Sequence, residues 1–358
     1  MRKNINLMIA TDLKGQGGVA TVVSTYADCG FLEENHIKLI ASHSSLDHGQ
    51  KWRMALRYML ALCQLLYCFM RYRVGIVHIH MSSRGSYRRK SVIVRLVKLL
   101  KGKVILHLHG AEFRDFYRDE CNMVQQRHIR HTFALADHVL VLSTQWLAWL
   151  QEVIGRTQGV SVLYNAVPSL ALDRHLAQPG RIAFLGRLGM RKGVGDLIQA
   201  FALVKQRCPE AQLYLAGDGE IETYQAMAEQ LGLNGTVHCL GWIAGEAKLK
   251  LLTQTDIYCL PSYNEGFPMG VIEAMSAGIP VVASRAGGIP DAISDGEQGR
   301  LIEAGDVVAL AQALGDLIEQ RAENQRIATA AKQKFAENFS LQAVIPRLQT
   351  LYDELLKS

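Results

Sequence analysis

Short runs of apolar residues alternate with longer amphipathic stretches along the whole chain. In the first half these runs predict strands at Ile5–Ala10, Ile37–Ala41, Ile76–His80, Val104–His109 and Val139–Leu142. In the second half they predict strands at Ile182–Leu185, Leu213–Ala216, Val237–Leu240, Ile257–Leu260 and Pro280–Ala283. The runs do not alternate with polar residues, which is typical of strands buried on both faces of a parallel sheet. The pattern therefore predicts an α/β protein with two doubly wound domains, one in each half.

A break in this pattern separates the two halves. Pro179 and Gly180 stand directly before the strand at Ile182–Leu185 and mark the end of a linker that begins near Pro168. We expect an N-terminal domain over residues 1–175 and a C-terminal domain over residues 176–340. Residues 341–358 then form a final helix, which we expect to pack back on the N-terminal domain. A length of 358 residues suits two domains of this kind.

Two segments of the first half invite a comparison with membrane-contacting helices. Met54–Met70 is strongly apolar, but Arg57 and Gln64 interrupt it and it is too short for a span of about 20 apolar residues. We interpret it as a buried crossover helix, with an interfacial helix as the alternative. Arg88–Lys103 predicts a helix with basic residues along one face, which either lies on anionic lipid or exposes a solvated stripe. The charge of this half favours lipid.

Charge is unevenly divided between the two halves. Residues 1–175 carry 23 lysines and arginines against 12 acidic residues, whereas residues 176–358 carry 16 against 21. The first half therefore has a net charge of +11, which suggests an anionic partner such as nucleic acid or an anionic membrane. It lacks aromatic stacking clusters and nucleic-acid motifs, so we expect no nucleic-acid binding. The seven cysteines are scattered without a CxxC pair, as is typical of a cytosolic protein.

The segment 261–288, PSYNEGFPMGVIEAMSAGIPVVASRAGG, carries the most informative chemistry. It follows the predicted strand Ile257–Leu260, so its loop lies at the carboxyl edge of a sheet, where open α/β sheets bind ligands. Glu265 lies in this loop, and Glu273 lies eight residues later in an apolar helical run. A helix that starts near Met269 offers free backbone N–H groups to phosphate or sugar oxygens. No Lys or Arg lies within a turn of either carboxylate, so sugar and ribose hydroxyls are suitable partners.

This segment resembles retaining glycosyltransferase family 4, whose members have the GT-B fold. The Glu-x7-Glu spacing of EGFPMGVIE is followed by AMSAGIPVVAS and GGIPD, in which Asp291 stands where the family often has Glu. Other segments similar to the family are GRLGMRKG (186–193), AGDGE (216–220), HLHG (107–110) and GQGGVATVV (15–23). The resemblance covers essentially the whole chain. It implies two doubly wound Rossmann-like domains that face a central cleft.

The resemblance also implies roles for the charged residues of the second half. Glu273 would bind the ribose hydroxyls of a nucleotide, and Glu265 would bind the hydroxyls of the donor sugar. Arg187 and Lys192, five residues apart in a turn that begins at Gly186, would clamp the donor diphosphate.

The same resemblance places uncharged groups around the donor. Gly241 and the adjacent Trp242 would lie beside the nucleobase. Backbone amides of the loop and helix start would hold sugar hydroxyls or a phosphate oxygen. The residues concerned are Gly266, Phe267, Pro268, Met269 and Gly270.

In the first half, three residues are candidates for contact with the donor. Gly17 and Gly18 follow the first predicted strand, and without side chains they let the backbone approach the diphosphate or the reacting sugar. Their setting, GQGGVA, is not the GxGxxG dinucleotide fingerprint. His109 resembles the family's active-site histidine that contacts the donor sugar. His107 and His109 lie on the same side of a strand, but Glu112 is the only acidic candidate for a third ligand, so we expect no metal.

Together these features predict a glycosyltransferase of the hexosyltransferase class. The resemblance implies retention of anomeric configuration without a divalent metal, with His109, Glu265, Arg187 and Lys192 at the reaction. We expect no cofactor besides the nucleoside diphosphate sugar, with a UDP-sugar favoured over a GDP-sugar. The alternatives are a non-catalytic sugar-nucleotide-binding subunit of a transferase and a GT-B-type nucleotide-sugar epimerase. A phosphorylase would need a pyridoxal-binding lysine segment, and none is recognisable.

The acceptor and the site of action follow from the basic first half. We expect a sugar or a lipid-linked saccharide as acceptor, in the biosynthesis of lipopolysaccharide, capsule or exopolysaccharide. The predicted location is the cytoplasm, peripherally on the inner face of the plasma membrane.

Overall fold

The computed structural model describes residues 2–13, 15, 17–44 and 49–357. Its contacts divide the chain into two compact units, which are Met1–Ala166 with Val344–Ser358, and Val167–Ala343. The contact boundary thus falls nine residues before the expected one at residue 175, because Val167 forms a parallel bridge with Ser340 inside the second unit. Each unit is built on its own parallel sheet.

The first sheet has six described strands in the order β2-β1-β3-β4-β5-β6, and all of its neighbours are parallel. The chain order reverses between β1 and β3, since β1 is followed by β2 on one side and by β3 on the other. Such a reversal opens a crevice at the carboxyl edge of the sheet. The strands are β1 (Asn4–Thr11), β2 (Ile37–His43), β3 (Arg73–Met81), β4 (Lys103–Leu108), β5 (His138–Val141) and β6 (Val160–Val162).

Helices cover both faces of this sheet. On one face, alternate residues of β3 such as Val77 and Ile79 join a large apolar core with Leu65, Val94 and Ile129 from three of the helices. On the other face His78 and His80 point away from that core. The helices of this unit are α1 (Gly18–Asp28), α2 (Phe31–Glu34), α3 (Lys51–Arg71), α4 (Gly85–Leu99), α5 (Phe113–Asp115), α6 (Met123–Leu135) and α7 (Thr144–Trp149).

The second sheet also has six described strands, all parallel, in the order β12-β11-β10-β7-β8-β9. Its order reverses between β7 and β10, so the loops that follow these two strands lie side by side. The strands are β7 (Arg181–Leu185), β8 (Gln212–Ala216), β9 (Val237–Gly241), β10 (Ile257–Leu260), β11 (Val281–Ser284) and β12 (Gly299–Ile302).

The helices of the second unit also pack their apolar faces on the sheet. They are α8 (Val194–Arg207), α9 (Ile221–Gln230), α10 (Gly245–Gln254), α11 (Met269–Ser276), α12 (Ile289–Ala292), α13 (Val307–Glu319) and α14 (Arg321–Asn338). A short 3-10 turn, Met190–Lys192, precedes α8. Gly193 ends this turn in the left-handed region, and a side chain there would collide with the Pro261 carbonyl.

The last helix, α15 (Leu341–Lys357), supplies the segment Val344–Ser358 to the first unit. The Tyr352 hydroxyl lies 3.0 Å from Nδ1 of His78, and Gln349 exchanges hydrogen bonds with Asn35. The side chain of Leu351 in α15 is buried as well. The face of β3 that carries the histidines is therefore covered by α15.

The structure confirms the predicted fold class and all ten predicted strands. It adds β6 and β12, which are three and four residues long and contain polar residues, Ser161 and Arg300, in their middle. Such short strands lack the apolar run on which the sequence argument depended.

Two helices of the first unit differ from the sequence interpretation. The crossover helix expected at Met54–Met70 is α3, but of its residues, all of which are described, only Ala61, Leu65 and Cys68 are buried. The helix expected at Arg88–Lys103 is α4, which ends at Leu99, because the chain must turn before it enters β4 at Lys103. Among the described residues, no helix is long and apolar enough to cross a bilayer.

Candidate active site

The crevice between β7 and β10 brings together the charged residues predicted in the second half. Lys192 comes from the loop after β7, and Glu265 comes from the loop after β10. Two hydrogen bonds join these loops: the Tyr263 amide donates to the Arg191 carbonyl at 2.9 Å, and the Arg191 guanidinium donates to the Asn264 carbonyl at 2.9 Å. The topology of the sheet and these contacts therefore place Lys192 beside Glu265.

Lys192 and Glu265 form a largely buried ion pair. The Nζ atom of Lys192 donates to Oε1 of Glu265 at 2.6 Å, and the two side chains are 15% and 6% exposed. A charge-assisted hydrogen bond of this length in a shielded site is strong and holds both groups in one orientation. Lys192 has three N–H donors, so it can bind Glu265 and an anion at the same time.

Glycines behind the loop support the position of Glu265. Gly287 has a φ of 54°, and a side chain at this position would collide with the Glu265 carbonyl. The amide of Gly288 donates to the Gly266 carbonyl at 2.8 Å. The pair of glycines in RAGG thus serves as a backing surface against which the Glu265 loop packs.

Glu273 has a lysine partner as well, although none lies near it in sequence. It is a buried residue of α11, and its Oε1 accepts a hydrogen bond of 2.7 Å from Nζ of Lys248 on α10. The two side chains are 12% and 30% exposed. Lys248 is a partner of Glu273 that the sequence did not reveal, because it lies 25 positions away in a helix with no motif of its own.

Tyr258 lies beneath the two carboxylates in the middle of β10. It is fully buried, its hydroxyl donates to the Leu185 carbonyl at 3.4 Å, and a side chain at Gly270 would collide with its phenol oxygen. Burial, followed by the charges of Glu273 and Glu265, raises its pKa well above the usual value. The phenol therefore stays neutral and links β7, β10 and the start of α11. Sequence reasoning treated it only as part of an apolar run.

The start of α11 points toward the same edge of the sheet. Its N-cap is Pro268, which carries no capping side chain, and Met269 and Gly270 open the helix with partly exposed residues. Phe267 is buried against Phe339, with ring centroids 5.2 Å apart, and so anchors the preceding loop. A helix start without a side-chain cap offers backbone N–H groups and a positive dipole to an anion or hydroxyl.

Arg187 is the more exposed of the two cations predicted to contact the donor diphosphate. Its side chain is 73% exposed, and its nearest carboxylate contact among the described residues is with Asp218 at 3.9 Å. The clamping of a donor diphosphate by Arg187 and Lys192 stays a prediction, and the structure shows that the two side chains are restrained to different degrees. Lys192 is fixed by Glu265, whereas Arg187 extends into solvent from the turn that begins at Gly186.

Hydrogen bonds between neighbouring loops bring Gly186 and Gly241 to this edge. The Gly186 amide donates to the Ala216 carbonyl at 2.9 Å, and the Gly217 amide donates to the Gly241 carbonyl at 2.8 Å. Gly241 has a φ of 66° and open space around it, and the adjacent Trp242 is 49% exposed. Both residues thus lie at the carboxyl end of β9, and the indole of Trp242 is accessible there.

The three candidates of the first half belong to the first unit. Gly17 is the N-cap of α1 and Gly18 its first residue, directly after β1, and both are exposed with open space around them. His109 follows β4, and its Nε2 lies 2.8 Å from Nδ1 of His80. Burial, together with the nearby charge of Lys90, lowers the pKa of His109 to about 3, so the ring is neutral at pH 7.

Lys90 is an unexpected buried cation beside these histidines. It is 1% exposed, and its Nζ lies 3.2 Å from the Ser86 hydroxyl and 3.5 Å from Nδ1 of His43. Burial, followed by the charge of Arg89, lowers its pKa to about 7. Among the described residues no carboxylate pairs with it. Sequence reasoning assigned the basic residues of this helix to an outer face and so missed Lys90.

Three histidines of this layer have ligand spacing for a metal. The ring nitrogens of His78, His80 and His107 lie within 4.8 Å of one another, and all three residues are buried. Neutral imidazoles bind zinc, but no carboxylate accompanies this described group, and the positive charge of nearby Lys90 would oppose a bound cation. Burial, followed by the neighbouring His78 and His109 and then by Lys90, lowers the pKa of His80 well below its usual value. His78 is instead hydrogen-bonded to His107 at 3.2 Å. We interpret the group as a hydrogen-bonded layer; the expected absence of a metal stays a prediction.

The first unit also contains a cavity between α4 and α6. Its volume is about 650 Å³, and a hydrogen bond of 2.6 Å between Tyr87 and His128 joins the two helices. Arg84, Arg88 and Glu120 are charged residues of its lining, and Arg84 is paired with Glu120. Its apolar walls are formed by Tyr87, Val92, Phe116, Val124 and Ile129. Such a cavity suits a ligand with an apolar part and a negatively charged group.

The chain is similar in sequence to known glycosyltransferases. The family profile "Glycosyl transferases group 1" matches residues 174–334. A D-inositol 3-phosphate glycosyltransferase of Corynebacterium jeikeium is 37% identical over 194 residues, which are 51% of this chain and 46% of that protein. The amylovoran biosynthesis glycosyltransferase AmsK of Erwinia amylovora is 29% identical over 296 residues, or 79% and 71% of the two chains. The match thus spans about half the length of the first relative and more of the second.

Solved structures resemble the whole chain at low identity. Sucrose-phosphate synthase from Thermosynechococcus elongatus superposes with a TM-score of 0.80 at 18% identity, over 99% of this chain and 100% of that one. Anabaena Alr3699/HepE in complex with UDP-glucose superposes with a TM-score of 0.75 at 20% identity, over 98% and 99%. These similarities confirm the predicted GT-B fold. Residues 174–334 of this chain thus match the profile of the group 1 glycosyl transferases, and its two sheets are folded as in GT-B proteins.

Proposed function

We propose that this protein is a retaining glycosyltransferase that moves a glycosyl group from a nucleoside diphosphate sugar to an acceptor hydroxyl. One observation carries the proposal. At the reversal point of the second sheet, two buried carboxylates, Glu265 and Glu273, are each held by a lysine at 2.6 and 2.7 Å. This arrangement lies within the residues that match the family profile.

The carboxylates bind hydroxyl groups of the donor. Glu273 accepts hydrogen bonds from the ribose, and Glu265 accepts them from the donor sugar, since an ionised carboxylate offers several acceptor positions beyond the one that a lysine uses. Lys248 does not touch the donor in this scheme. It is a positioning residue that holds the Glu273 carboxylate in one orientation.

Cationic groups stabilise the leaving diphosphate. The bond between the anomeric carbon and the phosphate oxygen breaks, and negative charge grows on that oxygen. Lys192 and the N-terminus of α11 stabilise it at short range, and the exposed Arg187 side chain folds over the diphosphate. The acceptor oxygen bonds to the anomeric carbon on the same face, and its proton passes to the departing phosphate oxygen. These groups supply the positive charge that a divalent metal would otherwise provide.

The donor is a UDP-sugar in this proposal, with a GDP-sugar as the alternative. The Anabaena protein of the same fold binds UDP-glucose, which supports a uridine nucleotide by analogy. The exposed indole of Trp242 beside Gly241 offers a surface on which a base can stack. In the first unit, neutral His109 hydrogen-bonds a hydroxyl of the donor sugar, and Gly17 and Gly18 leave room for backbone approach.

The acceptor is a lipid-linked saccharide that binds in the first unit. The cavity between α4 and α6 supports this assignment, because much of its lining is apolar and Arg88 provides a positive charge within it. The net charge of +11 over residues 1–175 favours work at an anionic membrane surface. We therefore propose peripheral action at the cytosolic face of the plasma membrane, in the biosynthesis of a surface polysaccharide.

The donor site is tested by thermal shift with UDP-, GDP- and ADP-sugars. A true donor raises the unfolding temperature through its preference for the folded state. Glu273→Gln keeps the size of the side chain but weakens its hydrogen bonds to ribose, so this variant should lose most of the shift. Exposed Glu229→Gln on α9 is the matched control and should behave like the wild type. If no nucleotide sugar produces a shift that depends on Glu273, the proposed donor site is wrong.

A further inference from the structure

Helix α3 carries apolar residues on two opposite faces. Its inner face contains the buried residues Ala61, Leu65 and Cys68, which pack on the sheet. The outer face consists of large apolar residues that are 50–67% exposed, and at 3.6 residues per turn they fall within an arc of about 100°. These residues are Trp52, Leu56, Met59, Leu60, Tyr67 and Met70.

Contiguous apolar exposure of this kind marks an interaction surface. Single exposed apolar side chains are ordinary, but six on one face of a 21-residue helix form a continuous stripe. The stripe lies opposite the buried face, so folding of the first unit does not cover it. A partner that removes these side chains from water is therefore needed to explain the pattern.

Positive charge borders the outer face on both sides. At 3.6 residues per turn, Arg53 and Arg71 lie about 70° from the centre of the stripe on one side, and Lys51 lies about 130° from it on the other. The helix contains no Asp or Glu. Lys38 of β2 lies 5.9 Å from the ring of Tyr67 and adds a further cation at the margin. The result is an apolar strip with a basic rim.

We propose that α3 is the element through which this protein inserts into the surface of an anionic lipid bilayer. The inference rests on the membrane contact in the proposed function and names the surface that makes it. An interfacial helix buries its apolar face at the boundary of headgroups and acyl chains, and flanking cations contact anionic headgroups. The outer face of α3 and its basic rim provide both parts.

Charge distinguishes lipid from a second copy of the chain as the occupant. In a symmetric dimer the same face meets itself, so the basic rims of two copies would lie against each other without acidic partners from α3. An anionic bilayer neutralises the rim and covers the stripe in a single contact.

An exposed apolar stripe and a basic rim are both weaker in α4, the helix that the sequence favoured for lipid contact. Lys98 is paired with Asp137 at 2.8 Å, Lys90 is buried, and Arg95 donates to the Ser91 carbonyl of its own helix. Its exposed apolar residues Val92 and Leu99 are isolated by comparison.

Trp52 provides a direct probe of insertion. Trp146 and Trp149 are buried, so the change Trp242→Phe leaves Trp52 as the exposed indole of the chain. With vesicles of phosphatidylglycerol and phosphatidylcholine, its emission should shift to shorter wavelength, and lipids brominated on the acyl chain should quench it. Vesicles of phosphatidylcholine alone, or about 0.5 M salt, should reduce binding strongly because the rim contributes through charge.

Matched variants distinguish vesicle binding through the outer face of α3 from non-specific binding through any exposed apolar residue. Leu56→Gln with Leu60→Gln should lower vesicle partitioning by at least about tenfold, since each exposed leucine gains its burial only on the membrane. Leu176→Gln with Val308→Gln removes two apolar side chains of the second unit that are at least as exposed, and this variant should bind like the wild type.

Two results would overturn the inference. One is equal vesicle binding by the wild type and the α3 variant, without quenching of Trp52. The other is a dimer in light scattering that the α3 variant abolishes while vesicles fail to bind, which would make the face a protein interface. Donor thermal shift is measured in parallel on protein that retains Trp242, because this residue is assigned to the nucleobase: absence of a shift with intact vesicle binding refutes the proposed transfer reaction alone, and the reverse refutes only the role of α3.

Discussion

The change Lys248→Met tests whether Glu273 depends on a partner from another helix. Methionine keeps the length of the side chain but removes the cation that donates to Glu273 at 2.7 Å. The Glu273 carboxylate is 12% exposed, so its charge would remain in a shielded site without compensation. Donor binding should weaken as well, because the carboxylate is no longer held for the ribose.

The structure sets the size of the effect between two limits. Exposed ion pairs contribute about 0–1 kcal/mol, and removal of one partner of a fully buried pair costs about 3–5 kcal/mol. Lys248 is 30% exposed, so we expect a loss of about 2 kcal/mol in the free energy of unfolding. For a unit of this size that corresponds to a fall in melting temperature of roughly 4–8 °C.

A double-mutant cycle with Glu273→Gln identifies the cause. The double variant should lose less stability than the sum of the single changes, because glutamine leaves no unpaired charge. Lys250→Met, two positions along the same helix and exposed, is the matched control and should be neutral within about 0.5 kcal/mol. Strictly additive losses, or an equal loss in Lys250→Met, would refute the argument that the pair positions Glu273.

Three further predictions follow from the same structure. Lys192→Ala or Glu265→Ala should lower release of nucleoside diphosphate from the donor by at least about a hundredfold while circular dichroism shows a folded protein; turnover at the wild-type rate would remove these residues from the site. Burial lowers the pKa of His78 to about 3 from 6.5, so only the unfolded chain takes up its proton between these values, and stability falls as pH drops below 6.5. His78 alone should lower the free energy of unfolding by about 2 kcal/mol at pH 5, as measured by urea unfolding. Equal free energies of unfolding at pH 7.5 and pH 5 would contradict this prediction. Ile129→Trp, which fills the cavity between α4 and α6, should raise the KM for a lipid-linked acceptor without changing the donor thermal shift, whereas Ile129→Val should do neither.

The sequence predicted the fold because its central strands are buried on both faces. Ile257–Leu260 and Ile182–Leu185 show uninterrupted apolar runs, and their order along the chain determines a doubly wound sheet once the strands are known to be parallel. The loop after β10, which carries Glu265, was predictable for a related reason. Its glycines, prolines and carboxylates are contiguous in 261–288, so the chemistry of the loop could be recognised in one segment.

The partners of the carboxylates could not be predicted in the same way. Lys248 approaches Glu273 from a helix 25 positions earlier, and this contact exists only because α10 and α11 pack near each other. The outer face of α3 raises a similar difficulty. An apolar residue such as Leu56 and one such as Leu65 look alike in sequence, and only the position of the sheet decides which is buried.

The pairing of Lys192 with Glu265 connects the two halves of the proposed chemistry. In the proposed function Glu265 binds the donor sugar and Lys192 binds the diphosphate. Because the two side chains are in contact at 2.6 Å, each also holds the other in position. A single ammonium can bind the carboxylate and still donate to a phosphate oxygen, because its three N–H groups point in different directions. A guanidinium is planar and would take up the carboxylate with its fork. Lys192→Arg should therefore retain the charge and lose most of the activity, which distinguishes a shared geometric role from simple attraction of the diphosphate.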